Sequence, residues 1–375
     1  MGLPNVKIDF ANGVLGSVGQ SADGVVGMVL ATESTNSSSL DQPVCVYTSD
    51  CLTNLHIEED SAAYKAIRDF YAEAGEGAEL WLCMASSDEV EGMLSESKAL
   101  LRSANGRIRT LVVVPTEGVD SGDIKKTAMS AQSLAESVTT ELFAPVVVLL
   151  PMKFVPALPQ VTTLGCHRVG LVVGDTVANS TTSMVGIVAG RVAKSAVHVH
   201  IGRVKDGALN VAQAYIGEDE VSQHDMLAQW FTNGYIVPRC FVGKSGYFFA
   251  DDCLATSEND DYRSLARRRV IDKAYRVAYS ALLEYVNDNL DVTAEGTLSA
   301  MAAKAIEQEV ESKIYNSMTA EGNLSADGDG DTGVKVLVDT TNDVVATNKI
   351  NVSIMVKPYG YAKYIEVELG FLKED

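Results

Sequence analysis

Three uninterrupted apolar runs constrain this chain more than any other feature: TLVVVP over 110–115, APVVVLL over 144–150 and RVGLVV over 168–173. A strand with one wet face alternates apolar and polar residues, whereas a continuous run needs cover on both faces, as parallel sheets have beneath helices. The segments between the runs carry apolar residues at helical spacing. Residues 61–74 place Ala63, Ile67 and Phe70 on one face, 89–103 ends at Asn105-Gly106, and 122–142 and 182–193 follow. With two shorter apolar runs at 44–47 and 80–84, the alternation reads as successive βαβ units. The expected fold over about 44–200 is therefore α/β, a mostly parallel sheet flanked by helices.

Beyond this region, residues 205–250 are mixed, with short strand candidates such as 235–242. A long helix is expected over 262–289, with Val270, Ala274, Val277, Ala278, Ala281 and Tyr285 as its core stripe. A second helix is expected over 297–318, then an acidic loop over 326–333 and strands at 334–339, 350–356 and 364–372. Both ends of the sequence alternate at a period of two. Val6, Ile8 and Phe10 are interleaved with Asn5, Lys7 and Asp9, and Ile365, Val367, Leu369 and Phe371 with Glu366, Glu368 and Gly370. Such strands stay ordered only if a sheet takes up their backbone hydrogen bonds, and that sheet belongs either to the same chain or to a neighbouring copy. The resulting division is an N-terminal arm (1–24), an α/β body (25–240), a C-terminal α+β domain (241–350) and C-terminal strands (351–375).

The chain has 375 residues, 46% of them hydrophobic, with mean hydropathy +0.07, enough for two or three domains with cores of their own. No apolar stretch is long enough for a transmembrane helix, and the first residues lack the basic and apolar segments of a secretory signal. A net charge of −20 repels phosphate backbones and argues against nucleic-acid binding. The six cysteines are scattered without a C-x-x-C pair, as expected of reduced, buried thiols in a cytoplasmic protein.

Motifs for chemistry are sparse. Gly328-Asp329-Gly330-Asp331-Thr332-Gly333 spells G-x-G-x-x-G, but two aspartates interrupt the glycines and a strand, not a helix, follows. Asp327, Asp329 and Asp331 resemble the start of a calcium loop whose required glycine and terminal glutamate are instead Thr332 and Val338. Gly243-Lys244-Ser245 lacks the first glycine of a phosphate loop, where Pro238 stands. His198 and His200 share one side of an expected strand at 197–201 without further ligands at usable spacing, so a polar strand face is the better reading. No catalytic residue, metal site or cofactor is expected. The charge pattern is more informative. Residues 262–276 carry Arg263, Arg267, Arg268, Arg269, Lys273 and Arg276 against Asp272, directly after the acidic stretch Asp251, Asp252, Glu258, Asp260 and Asp261. That helix is either a solvated face paired with the acidic stretch or a docking face for an acidic partner.

These segments, in this order, resemble the contractile tail sheath proteins of bacteriophages and related injection machines. The resemblance rests on Val6–Gly16 leading into Ser21–Val29, on Val188-Ala189-Gly190-Arg191-Val192-Ala193 with Gly202-Arg203-Val204, and on Gly246-Tyr247-Phe248-Phe249-Ala250-Asp251-Asp252. It also rests on Arg267-Arg268-Arg269-Val270-Ile271 and on the closing segments Asn351–Pro358 and Ala362–Val367. It departs from the family at Tyr361-Ala362-Lys363, at 250–254 and in its short length. The resemblance implies a structural subunit, not an enzyme, that polymerises with itself around an inner tail tube protein and meets baseplate and tail terminator proteins. It also implies assembly in the bacterial cytoplasm and residence in a virion tail or injection apparatus. It further implies that Val6, Ile8, Phe10, Ile365, Val367 and Leu369 form inter-subunit arms that complete the C-terminal domain of a neighbour. Arg268, Arg269, Lys273 and Arg276 would face the tube, and no nucleic acid or membrane is engaged. The alternatives are an α/β enzyme with a site after the carboxyl ends of its strands, where Asp50, Ser86, Thr116 and Asp175 stand, and a monomeric binding module.

Overall fold

The computed structural model describes residues 22–31, 40, 42–223 and 227–371; the expected N-terminal arm residues Val6, Ile8 and Phe10 lie outside them. Strands β1 (Val26–Leu30), β2 (Val44–Val46), β3 (Leu80–Met84), β4 (Thr110–Val114), β5 (Val147–Pro151) and β6 (Val169–Val172) form one sheet in the order β2-β3-β1-β4-β5-β6. All neighbours are parallel except β2, which runs antiparallel to β3. The continuous apolar runs are buried on both faces, as their composition required. The outer side of β6 is closed by Ile236, whose N–H donates to Leu171 O at 2.9 Å and whose carbonyl accepts from Val173 N at 3.0 Å.

Helices α1 (Cys51–Asn54), α2 (Ala62–Ala74), α3 (Val90–Ser103), α4 (Ile124–Glu141), α5 (Val185–Lys194) and α6 (Leu227–Asn233) complete this unit, with the two-residue pairs β7 (Tyr215–Ile216) and β8 (Asp219–Glu220), and β9 (Pro238–Arg239) and β10 (Phe248–Phe249). Helix α2 starts where its sequence provides a cap: Ser61 Oγ accepts from Tyr64 N at 3.0 Å. It ends at Gly75, held at φ +87°.

The packing of α5 on α2 depends on glycine. A Cβ on Gly186 would lie 2.3 Å from Ala66 O, and one on Gly190 would lie 2.7 Å from Phe70 O. Gly186 and Gly190 are four residues apart, as are Ala66 and Phe70, so the two backbones touch along one turn of each helix. Beside the crossing lies Glu73, fully buried. Its Oε1 is 2.9 Å from Arg191 Nε and 2.6 Å from Lys194 Nζ, and its Oε2 accepts from Asn210 N at 2.7 Å.

The chain divides into two compact units. One runs to 196 and resumes over 201–263; the other comprises 197–200 and 264–375. The boundary thus falls later than the expected 240/241, because 241–263 pairs back into the first unit: Ala250 N donates to Val237 O and Ala255 N to Val169 O. In the second unit, α7 (Leu265–Leu282) and α8 (Ala300–Ile314) pack with β11 (Val334–Val338) and β12 (Val352–Val356), an antiparallel hairpin; the short α9 (Val344–Thr347) lies between the strands in sequence. Val270, Ala274, Ile306, Val310, Ile314 and Val336 are among its buried core. Both long helices begin at serine caps, Ser264 and Ser299. They are shorter than expected. α7 tightens into a 3-10 turn over Leu283–Tyr285, beyond which Asn287 takes φ +62°, and α8 loosens into a π turn over Tyr315–Thr319. No described helix is long and apolar enough to cross a membrane.

Gly190→Val should destabilise the protein by about 2–3 kcal/mol or more through overpacking of a backbone contact, read as a lower urea midpoint. Glu73→Gln keeps the shape but leaves Arg191 buried without its counter-charge. We expect a loss of about 3 kcal/mol in the same assay.

Candidate strand-docking site

Among the described residues, the sheet of the second unit has two strands. Val334, Val336 and Val338 are buried on its inner face, whereas Val352, Ile354 and Val356, which share that face on β12, are only half-buried. An isolated hairpin is marginal in water and gains stability from helices on one face or from further strands at its edges. Here the helices cover one face, and the flank of β12 is where apolar cover thins.

The segment after β12 has two parts. Its beginning is anchored: Tyr361 Oη donates to His198 O at 2.8 Å, Tyr359 packs on His198 and Tyr361 on His200, and Arg267 lies over the Tyr361 ring. Residues 197–200 form turns and not the expected strand, so His198 and His200 do not stand on a shared strand face. Past this anchor, residues 364–371 join neither a helix nor a ladder. Ile365, Val367 and Leu369 are 79%, 78% and 93% exposed. A row of large apolar side chains standing free of any core is the mark of an interaction surface.

The acidic loop after α8 works as a clasp on this hairpin. Lys357 Nζ lies 2.6 Å from Asp331 Oδ2 and 3.5 Å from Asp327 Oδ2. The bond to Lys357, followed by that from Gly333 N, holds the Asp331 carboxyl below its ordinary range. The G-x-G-x-x-G spelling is therefore a turn whose charge is met by a lysine at the end of β12.

The four cations expected on α7 are placed unequally. Arg268 is buried with its Nη2 2.6 Å from Asp272 Oδ1, and Lys273 is buried with its Nζ 2.7 Å from Glu321 Oε2 and 2.9 Å from Asn323 Oδ1. Arg269 is buried as well. The reason is position: these residues flank Val270 and Ala274 on the inward side of the helix, and carboxylates of the same unit neutralise Arg268 and Lys273. Arg276 is half-exposed and lines a groove with Glu284 and Lys313.

Of the four polar residues expected after the carboxyl ends of the strands, Ser86 and Asp175 are engaged by local structure and Asp50 is exposed. Asp175 is buried, Lys65 forms ion pairs with both it and Asp69, and Ser86 binds Glu96 through both its N–H and its hydroxyl. Burial alone would lower the Lys65 pKa, but the two carboxylates together raise it. Thr116 is exposed. Periodicity gave no hint of this Lys65–Asp69–Asp175 cluster or of Glu73 and Arg191, since charged residues on helices read as solvent-facing.

No curated protein matches the chain in sequence. Among solved structures, its fold is similar to a subunit of the anti-feeding prophage helical sheath in its contracted state, at 17% identity and a TM-score of 0.67, with 99% of both chains covered. It is also similar to the PVC sheath complex of an extracellular contractile injection system in its contracted state, at 13% identity and a TM-score of 0.64, covering 99% of this chain and 98% of the other. A sheath tail protein from Listeria innocua aligns at 12% identity and a TM-score of 0.56, covering 89% and 92%. The chain thus has the fold of these sheath proteins over nearly its whole length. Two family models account for the sequence: DUF2586, N-terminal domain, over residues 3–253, and DUF2586, C-terminal domain, over residues 261–374. Their junction falls beside the division between the two compact units, and the chain belongs to the DUF2586 family.

Proposed function

We propose that this protein is the structural subunit of a contractile sheath, polymerising around an inner tube by exchanging strands between copies. The observation that carries the reading is the free apolar row Ile365–Val367–Leu369 in a chain whose own C-terminal hairpin has two strands and a half-buried flank. The segment supplies what the hairpin of another copy lacks: backbone donors and acceptors, and apolar side chains at a period of two. Val6, Ile8 and Phe10 would supply a second arm of the same kind. Heterologous contacts of this sort do not close on themselves and so propagate as a helix. The sheath-like fold at near-full coverage supports the same reading, and no observation favours a catalytic site.

Of the four cations expected to face the tube, Arg276 would meet an acidic surface of a tube protein, whereas Arg268, Arg269 and Lys273 would act by holding α7 in its unit. Baseplate and terminator proteins would be the remaining partners, and contraction would eject the tube.

Ile365→Asp with Val367→Asp alters only exposed side chains. The variant should melt with the wild type, within about 0.5 kcal/mol, yet form no tubes under negative-stain electron microscopy. Tubes of normal length would remove the C-terminal arm. Deleting residues 1–12 tests the other arm by the same images, with loss of tubes expected. Arg276→Glu should leave the subunit folded and weaken co-sedimentation with the tube protein; unchanged co-sedimentation would take α7 out of that interface.

A further inference from the structure

The two edges of the C-terminal hairpin are not equivalent. Lys357 N donates to Gly333 O at 2.8 Å and Asp339 N to Asn351 O at 2.9 Å, which makes the odd-numbered residues the hydrogen-bonded pairs of the ladder. The even-numbered N–H and C=O groups therefore point away from the hairpin: those of Val334, Val336 and Val338 on β11, and those of Val352, Ile354 and Val356 on β12.

On the β11 side two of these groups, Val338 N and Val334 O, meet side chains. Val338 N donates to Glu307 Oε1 at 2.9 Å. The Thr332 hydroxyl lies 2.8 Å from Val334 O and 2.9 Å from Glu311 Oε1. Glu307 and Glu311 are four residues apart on α8, on one helical face along the β11 edge. Glu307 is itself buried and fixed by Lys304, whose Nζ is 2.7 Å from its Oε2. The bond to Lys304, followed by that from Val338 N, lowers the pKa of Glu307 and keeps it ionised at neutral pH. On the β12 side, the N–H groups of Val352, Ile354 and Val356 have no hydrogen-bond partner among the described residues.

We propose that α8 guards the β11 edge, directly through Glu307 and by way of the Thr332 hydroxyl through Glu311, so that a strand from a second copy of this chain adds to β12 and not to β11 while Glu307 holds Val338. The inference rests on the strand-exchange reading and adds a choice of edge to it. A charge-assisted bond to a buried carboxylate must be broken before β11 can pair, whereas β12 pairs without losing a bond. A side chain seated on a strand edge is also a known means of blocking unwanted pairing.

The test is residue-resolved amide exchange on the full-length protein, with and without a synthetic peptide of residues 363–371. In the free subunit, Val338 should exchange at least tenfold more slowly than Ile354; equal rates would overturn the proposal before any variant is made. With peptide, exchange at Val352, Ile354 and Val356 should slow tenfold or more while Val336 stays unchanged. In Glu307→Gln, which preserves volume and weakens the bond to Val338, and in Glu307→Ala with Glu311→Ala, slowing should extend to Val336 and Val338. Slowing at Val336 equal to that at Ile354 in the wild type would overturn the guard and leave strand exchange standing. Slowing at neither edge, in a protein that still forms tubes, would overturn strand addition itself.

Discussion

Every buried peptide group must find a hydrogen-bond partner, and the two units meet this requirement in opposite ways. In the first, the central strands of a six-stranded sheet have a neighbour on each side, and β6 is closed by Ile236 from its own unit. In the second, α7 and α8 give the hairpin a face to pack on, but helices cannot provide a ladder. Its core residues Val334, Val336 and Val338 are buried, while their β12 counterparts remain half-wet. The first unit is a finished fold. The second reads as one element short, and the element it lacks has the pattern of the segment that follows its last strand.

The sequence revealed the first unit well because its signals are local and redundant. Continuous runs such as TLVVVP can be buried only as strands between helical layers, and four of the intervening helices lie where periodicity places them. The central strand β1, with Gly27 in its middle, stands out less, because a glycine interrupts its apolar run. Periodicity carries the helices past their ends by up to seven residues, as with 262–289 against Leu265–Leu282, because an amphipathic stripe continues through a 3-10 turn that no longer belongs to the α-helix. The alternation of Val197, His198, Val199 and His200 reads as a strand, but the residues lie in turns, where Tyr359 meets His198 at a tilt and Tyr361 meets His200 edge-on.

Charge was the least legible property. Arg268, Arg269 and Lys273 sit in a basic run that a helical wheel assigns to solvent, yet all three are buried. A cation can be buried when a carboxylate four residues on, or on a neighbouring element, removes most of the cost. Asp272 and Glu321 do so here, and Glu73 does the same for Arg191 in the first unit. None of these partners can be identified before the fold brings them together. Such pairs contribute little net stability compared with apolar side chains, but they penalise any packing that separates them. Their effect is to fix helix position within each unit.

The energetics of a single exchanged strand suit a lattice that has to rearrange. Ordering one residue costs about 1–2 kcal/mol, burying an apolar side chain such as Ile365, Val367 or Leu369 returns about 1.5–3 kcal/mol, and each backbone hydrogen bond adds about 1 kcal/mol net. Over a five-residue strand the gains exceed the cost by only a few kcal/mol, so a lone pair of subunits would dissociate readily. In the proposed helical array each copy would both donate and receive, and the same strands would act together. The bodies could then change their packing while the strands stay paired, because the segment between Tyr361 and the apolar row joins no ladder or helix of its own subunit. In such a lattice, weak individual links joined through segments outside any ladder would allow a move from one packing to another without nucleotide hydrolysis, provided the first packing stores the free energy that the second releases.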